Sequence, residues 1–219
     1  MSSGNITTQI PTTLGSWALL LAQAIESYGV DSDPIFKEAG VDKADIKKTD
    51  ARFPTSSMVK LWHVAVERTG DPYIAIRVAQ SFKPSAFSAL GMAMAASLHV
   101  YDALKRAALY SHLIGNAAIT VLEENADEVA FVMFPRPDLK SLTHIYGMSV
   151  YGTSGTFCCL YQMLRDIAGE SLEVKAVHFE QSLESTKPFE DFFGCPVFFG
   201  SNSSKIVFNK EFMFSEQTF

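Results

Sequence analysis

SALGMAMAASLHVYDALKRAALYSHLIGNAAITVLEENADEVAFVMF, residues 88–134, decides how the rest of the chain reads. It passes from a small-residue segment through an amphipathic stretch into two β-rich runs, with almost no spare residues between them. Leu98, Tyr101, Ala103, Leu104, Ala107, Ala108, Tyr110 and Leu113 recur at spacings of three and four, which predicts a helix with one apolar face. Ser97 is placed to cap its N-terminus. Gly115-Asn116 is placed to close it, with a residue free to take positive φ. Residues 119–124 and 128–134 predict two strands, and Asn125-Ala126-Asp127 the turn between them. A helical half is joined to a sheet half here.

Outward from this joint, the first 115 residues read mostly as short helices. Residues 14–28 carry Trp17, Leu20, Leu21, Ala24 and Ile25 on one face and stop at Gly29. Asp33-Pro34 opens a second helix, with proline at its first position, that ends at Gly40. A charged connector covers 41–52; helices follow over 55–68, with Leu61, Val64 and Ala65 inside, and over 73–82. Beyond the hairpin, Pro135-Arg136-Pro137 breaks the strand, and 141–167 reads as one long helix. Strands over 173–180, 197–199 and 205–209, with a helical turn over 188–193, complete a ββαβαββ order. Tight turns between strands favour an antiparallel or mixed sheet in an α+β fold. The expected organisation is a flexible tail over 1–13 and a single domain over 14–219, with a helical part at about 14–115 and an α+β part at about 116–214.

Composition narrows the function. Hydrophobic residues make up 47% and charged ones 19%, so the chain is globular and apolar rather than disordered. A formal charge of -6 argues against nucleic-acid binding by this chain alone, since phosphate contacts need clustered Lys and Arg. The densest basic stretch, 43–52, is diluted by aspartates and reads as a solvated loop. No positive N-terminal region precedes an apolar core, and no run reaches the roughly 18 apolar residues of a membrane span. Three cysteines, two of them adjacent, make no disulfide framework. A cytoplasmic protein without membrane contact is expected.

Catalytic and metal signatures are weak. Cys158-Cys159 diverge by about 100° on a helix and lack the CxxC spacing of a metal or redox pair, so they read as buried structural thiols. His63, His99, His112, His144 and His178 form no HxxxH or HxH pair. A single buried His112 or His144 holding haem stays open as an alternative. Ser154 in GTSGTF is not a GxSxG elbow, and neither a dinucleotide fingerprint nor a P-loop is present. Glu123-Glu124 and Glu190-Asp191 fall at strand ends or surface turns. No enzyme, metal or cofactor is expected.

The distinctive feature is the run of small residues Gly147, Ser149, Gly152, Thr153, Ser154, Gly155 and Thr156 inside a helical pattern. Each helical glycine costs about 1 kcal/mol relative to alanine, so the run needs a reason. Close packing on the sheet is one; room for a ligand is the other. The segment 90–97, LGMAMAAS, poses the same choice, because methionines adapt to gaps or to binding surfaces. The ligand reading selects Met92, Tyr110, Asn116, His144, Tyr146, Tyr151 and Phe157 as candidate pocket residues.

Four segments in this order carry a resemblance: FPTSSMVKLWHVAVERTGDPYIAIRVAQSF, FSALGMAMAASLHVYDALKRAALYSHLIG, AITVLEENADEVAFVMF and VKAVHFEQSLESTKPFEDFFGCPVFFGSNSSKIVFNKEFM. Over roughly 14–214 the chain resembles the N-terminal regulatory domain of AraC-family transcription regulators. The group meant is the one labelled arabinose-binding, which includes ornithine-responsive regulators. The resemblance implies a bacterial ligand-sensing, homodimerising domain that reaches DNA only through a C-terminal helix-turn-helix domain. It implies no catalytic residues. Its effectors vary, so an amino acid, an amine or another small metabolite is expected. The chain departs from the pattern in stopping at Phe219 without that DNA-binding domain, which leaves a separated sensor, or a stand-alone interaction domain, as the expectation.

Overall fold

The computed structural model describes residues 10–48, 50–142, 149–169 and 172–214. The chain enters through a short strand, β1 (Thr12–Leu14), and turns directly into α1 (Gly15–Ser27). Next come α2 (Ser32–Ala39), capped by the Asp31 carboxylate, and α3 (Lys43–Ile46), capped by that of Asp42. Strand β2 (Arg52–Pro54) pairs antiparallel with β1 before α4 (Thr55–Thr69) begins. Both α2 and α4 end on a left-handed glycine, Gly40 at φ 73°, the end expected for α2, and Gly70 at φ 70°. Helices α5 (Ile74–Gln80), α6 (Ser88–Ala95) and α7 (Val100–Tyr110) complete the helical half.

The hairpin forms where expected, as β3 (Ala118–Glu124) and β4 (Glu128–Pro135), in a register from Ala118 opposite Pro135 to Glu124 opposite Val129. Asn125 closes the turn by accepting from the amides of Asp127 and Glu128 at 2.8 Å each. Helix α8 (Val150–Ala168) follows, then β5 (Val174–His178), α9 (Lys187–Phe193), β6 (Val197–Phe198) and β7 (Ser204–Asn209). The sheet order is β3-β4-β7-β5-β6; β5 and β6 run parallel and the other neighbours antiparallel, so the α+β fold carries a mixed sheet. On β4 the period of two sends Val129, Phe131 and Met133 into the main core, and Ala130 and Val132 to a small apolar patch with Val207 on the other face. The main core is continuous across both halves, from Trp17, Leu61 and Leu104 to Phe157 and Phe208.

Several local expectations differ from the structure. In the charged connector expected over 41–52, Lys43–Ile46 form α3, with Ile46 buried, and Arg52 opens β2. Helix α7 begins at Val100 after an extended His99, not after Ser97, whose hydroxyl donates to the Ala93 carbonyl at 3.1 Å and accepts from Arg106. Pro34 stands in the third position of α2, because Asp31 caps it two residues earlier than expected. Helix α8 starts at Val150 with Ser149 as its cap, and Ser141 and Leu142 belong to a 3-10 turn over Pro137–Leu142. Gly115 does not take positive φ, since a 3-10 turn over Ser111–Leu113 closes α7 instead. A Cβ on Gly115 would stand 3.3 Å from Thr13 Oγ1, so close approach of β1 explains the glycine.

Helix α8 runs along α5 on one side, and on the other buries Phe157 between Phe131 at 6.3 Å and Phe179 at 5.6 Å. Burying one such ring contributes about 1.5–3 kcal/mol. A Cβ on Gly155 would come within 3.0 Å of the Trp62 ring, itself held edge-on by Trp17 at 6.2 Å. Trp62 is buried and pressed by Trp17 as well as by α8, so making room for a methyl group would disturb the pair. Gly155→Ala is therefore expected to lower stability by about 1–2 kcal/mol in urea unfolding, despite its better helix propensity.

Candidate functional site

A cavity of about 180 Å³ lies at the joint between the helical half and the sheet. Its helical wall comes from Trp17 of α1, Thr55, Met58 and Trp62 of α4, and Leu90 and Met94 of α6. The sheet side supplies Ala118 and Thr120 of β3 and Phe131 and Met133 of β4. Gly152, Thr153, Thr156, Leu160 and Met163 line it from α8. Thr13, Ile114 and Gly115, where β1 meets the turn after α7, form part of the lining as well. The small-residue helix thus divides its glycines between two tasks. Gly155 admits the tryptophans, whereas a Cβ on Gly152 would meet only Ser149 Oγ, at 3.6 Å, so the missing side chain there leaves open space.

The joint is held by hydrogen bonds. The Leu14 amide donates to the Ile114 carbonyl at 2.8 Å, and the Asn116 amide to the Thr12 carbonyl at 3.1 Å. Arg52 reaches the Leu113 carbonyl at 2.7 Å and Thr12 Oγ1 at 2.9 Å. Thr120 Oγ1 donates to the Ala108 carbonyl at 2.8 Å and lies 2.6 Å from Ser111 Oγ, tying the end of α7 to β3.

Most polar atoms of the lining are satisfied. Thr13 Oγ1 donates to the Ile114 carbonyl at 3.2 Å, Thr156 Oγ1 to the Gly152 carbonyl at 3.0 Å, and Ser149 Oγ accepts from the Gly152 amide at 3.1 Å. Two hydroxyls are left over. Thr55 Oγ1 and Thr153 Oγ1 are buried without a partner among the described residues, and Thr153 is only 1% exposed. An unmet buried hydroxyl costs about 1–3 kcal/mol, so this pair calls for a reason. No Asp, Glu, Lys, Arg or His belongs to the lining among the described residues. The shifted titrations sit in other places: the Tyr101 hydroxyl and then Lys210 hold the Glu124 carboxyl below its usual range, and Ser32 and then Lys43 do so for Glu26.

The residues selected from sequence fall elsewhere. Met92 is 56% exposed, on the face of α6 away from Leu90 and Met94, which are four apart and line the cavity. Tyr110 is 48% exposed beside His112. Asn116 clamps the joint, its Oδ1 accepting from the Thr12 amide at 2.7 Å and its carbonyl from Arg136 at 3.0 Å. Tyr151 is half-buried edge-on against His63, and Phe157 is spent on the core. None of these five belongs to the lining. His144 and Tyr146 lie outside the described residues. Trp17, Trp62 and the unpartnered threonines were missed, although the bare positions Gly152 and Thr153 stood inside the run singled out.

Cys158 and Cys159 are fully buried in α8, and burial pushes both thiols far up; burial and then Glu190 push Cys195 up to about 11. None lines the cavity. Among the described residues no group of three or more His, Cys, Asp or Glu could hold a metal ion, and no helix is long and apolar enough to cross a membrane.

Residues 29–215 match the family described as the N-terminal arabinose-binding domain of AraC transcription regulators. The chain belongs to this family. It is a family of transcription-regulator domains rather than of enzymes. The fold is also similar to that in the crystal structure of the transcriptional regulator CdpR from Pseudomonas aeruginosa, at 14% identity and a TM-score of 0.58. That likeness covers 91% of this chain and 57% of the CdpR chain, so this chain spans a little over half the length of that one. No curated protein matches the sequence.

Thr153→Val keeps the shape and removes the unmet hydroxyl. It is expected to leave stability unchanged or raise it by about 1 kcal/mol in urea unfolding, where loss of a satisfied buried hydroxyl would lower it. A drop of more than about 1 kcal/mol would mean that the hydroxyl has a partner in the folded chain.

Proposed function

We propose that the chain is the effector-sensing and dimerisation domain of an AraC-type transcription regulator. A small molecule bound in the joint cavity would control an attached DNA-binding domain. The observation that carries this reading is the coincidence of the cavity with the joint: Thr13, Ile114 and Gly115 line the space and also hold β1 to the end of α7. A ligand that fits one arrangement of the joint better than another shifts the balance between them by its difference in affinity, and by no more. The family supports a regulatory sensor; the acidic charge of -6 fits a half that leaves DNA contact to another domain. Homodimerisation follows the family expectation and the two-fold symmetry of operators.

Native mass spectrometry of the purified chain with pooled small metabolites is expected to give a dimer mass and one bound small molecule per chain. Gly152→Leu, which puts a side chain into the open space, is expected to abolish that adduct and keep the dimer. A monomer that takes up nothing from the pool would overturn the reading.

A further inference from the structure

We propose that the cavity takes a compact, mostly apolar molecule carrying one uncharged oxygen acceptor, held by the hydroxyls of Thr55 and Thr153. This rests on the sensing function proposed above and names the class of ligand.

Size comes first. A cavity of about 180 Å³ is slightly larger than the roughly 150 Å³ that accommodates benzene in a protein interior, so a ligand of about ten non-hydrogen atoms fits. The walls favour a ring. Trp17, Trp62, Phe87 and Phe131 present aromatic surface, and Met58 and Met94 can adapt to its outline.

Charge is disfavoured on both sides. A charged group against these walls would gain no counter-ion from the described lining, which carries no ionisable side chain. The proposal therefore favours an uncharged molecule over the amino acid or amine that the resemblance leads one to expect. A sugar fails for a different reason: each of its several hydroxyls needs a partner, and the lining keeps only two hydroxyls unengaged.

The sign of the polar group follows from where the two threonines stand. Thr55 is the first residue of α4, a helix with no side-chain cap, and Thr153 is the fourth of α8. Both hydroxyls thus sit at positive helix ends, which favour an electronegative ligand atom. A threonine hydroxyl can donate to such an atom. In a helix this side chain splits between two χ1 wells, so reorientation toward a ligand requires no backbone change.

Isothermal titration calorimetry on the purified chain would use acetophenone, toluene, benzylamine and arabinose as probes. Acetophenone is expected to bind about tenfold more tightly than toluene, the worth of one added hydrogen bond, with benzylamine and arabinose weaker than both. In the Thr55→Val/Thr153→Val double variant, checked for an unchanged circular dichroism spectrum and urea midpoint within error or higher, the preference is expected to vanish while toluene affinity is retained. Equal affinity for acetophenone and toluene in the unmodified chain, or a preference that survives the double variant, would overturn the assignment of the hydroxyls. Tighter binding of benzylamine or arabinose would overturn the ligand class and leave sensing intact. If none of the four binds, the inference falls; an adduct from the metabolite pool in native mass spectrometry would then still uphold sensing, and its absence would remove both.

Discussion

Helix α8 has to satisfy two neighbours at once, and the rest of the molecule is arranged around how it does so. Its Phe157 locks into Phe131 and Phe179 on the sheet side, while α5 lies along it from the helical half. Two tryptophans press on it at Gly155, the position where a side chain would collide with Trp62. One turn earlier the same helix presents Gly152 to open space, beside Thr153 in the cavity wall. The tight contact and the gap are neighbouring properties of one surface. Interiors are close-packed, so a space beside such a contact has to be kept open by walls that cannot collapse into it. Trp62, fixed by Trp17 and by α8, is such a wall.

The second constraint is the joint. Strand β1 has only three residues, yet it hydrogen-bonds to β2 on one side and to residues 114–116 on the other. Arg52 and Asn116 reinforce it from each half. Because the rim of the cavity and the fastening of the two halves share residues, filling the cavity and adjusting the joint draw on the same hydrogen bonds under the proposed function. Coupling of this kind needs no long path through the protein, only a joint with two arrangements.

Much of the fold was legible because it rests on local signals. The hairpin, its Asn125 turn, the glycine end of α2, and the α+β order all follow from periodicity and turn chemistry. Strands β1 and β2 were not legible, since three residues carry no period and their pairing spans about forty positions of sequence. The candidate site was half legible. The glycine and threonine run did point to the cavity, but aromatic size drew the selection to Tyr151 and Phe157, which the core and the His63 edge contact absorb. Met92 and Met94 are two residues apart on one helix, and only tertiary packing decides which turns inward. Unpartnered hydroxyls are invisible in sequence altogether, because a partner's absence is a property of the folded interior.

The central claim is that a ligand enters this cavity rather than adhering to the surface, and the methionines report on it directly. Met58, Met94, Met133 and Met163 line the space, whereas Met92 and Met213 do not. Titrating acetophenone into protein labelled with ¹³C at the methionine methyls should move the first four resonances together with one dissociation constant and leave those of Met92 and Met213 in place. Movement confined to Met92, or no movement at saturating probe, would contradict the account.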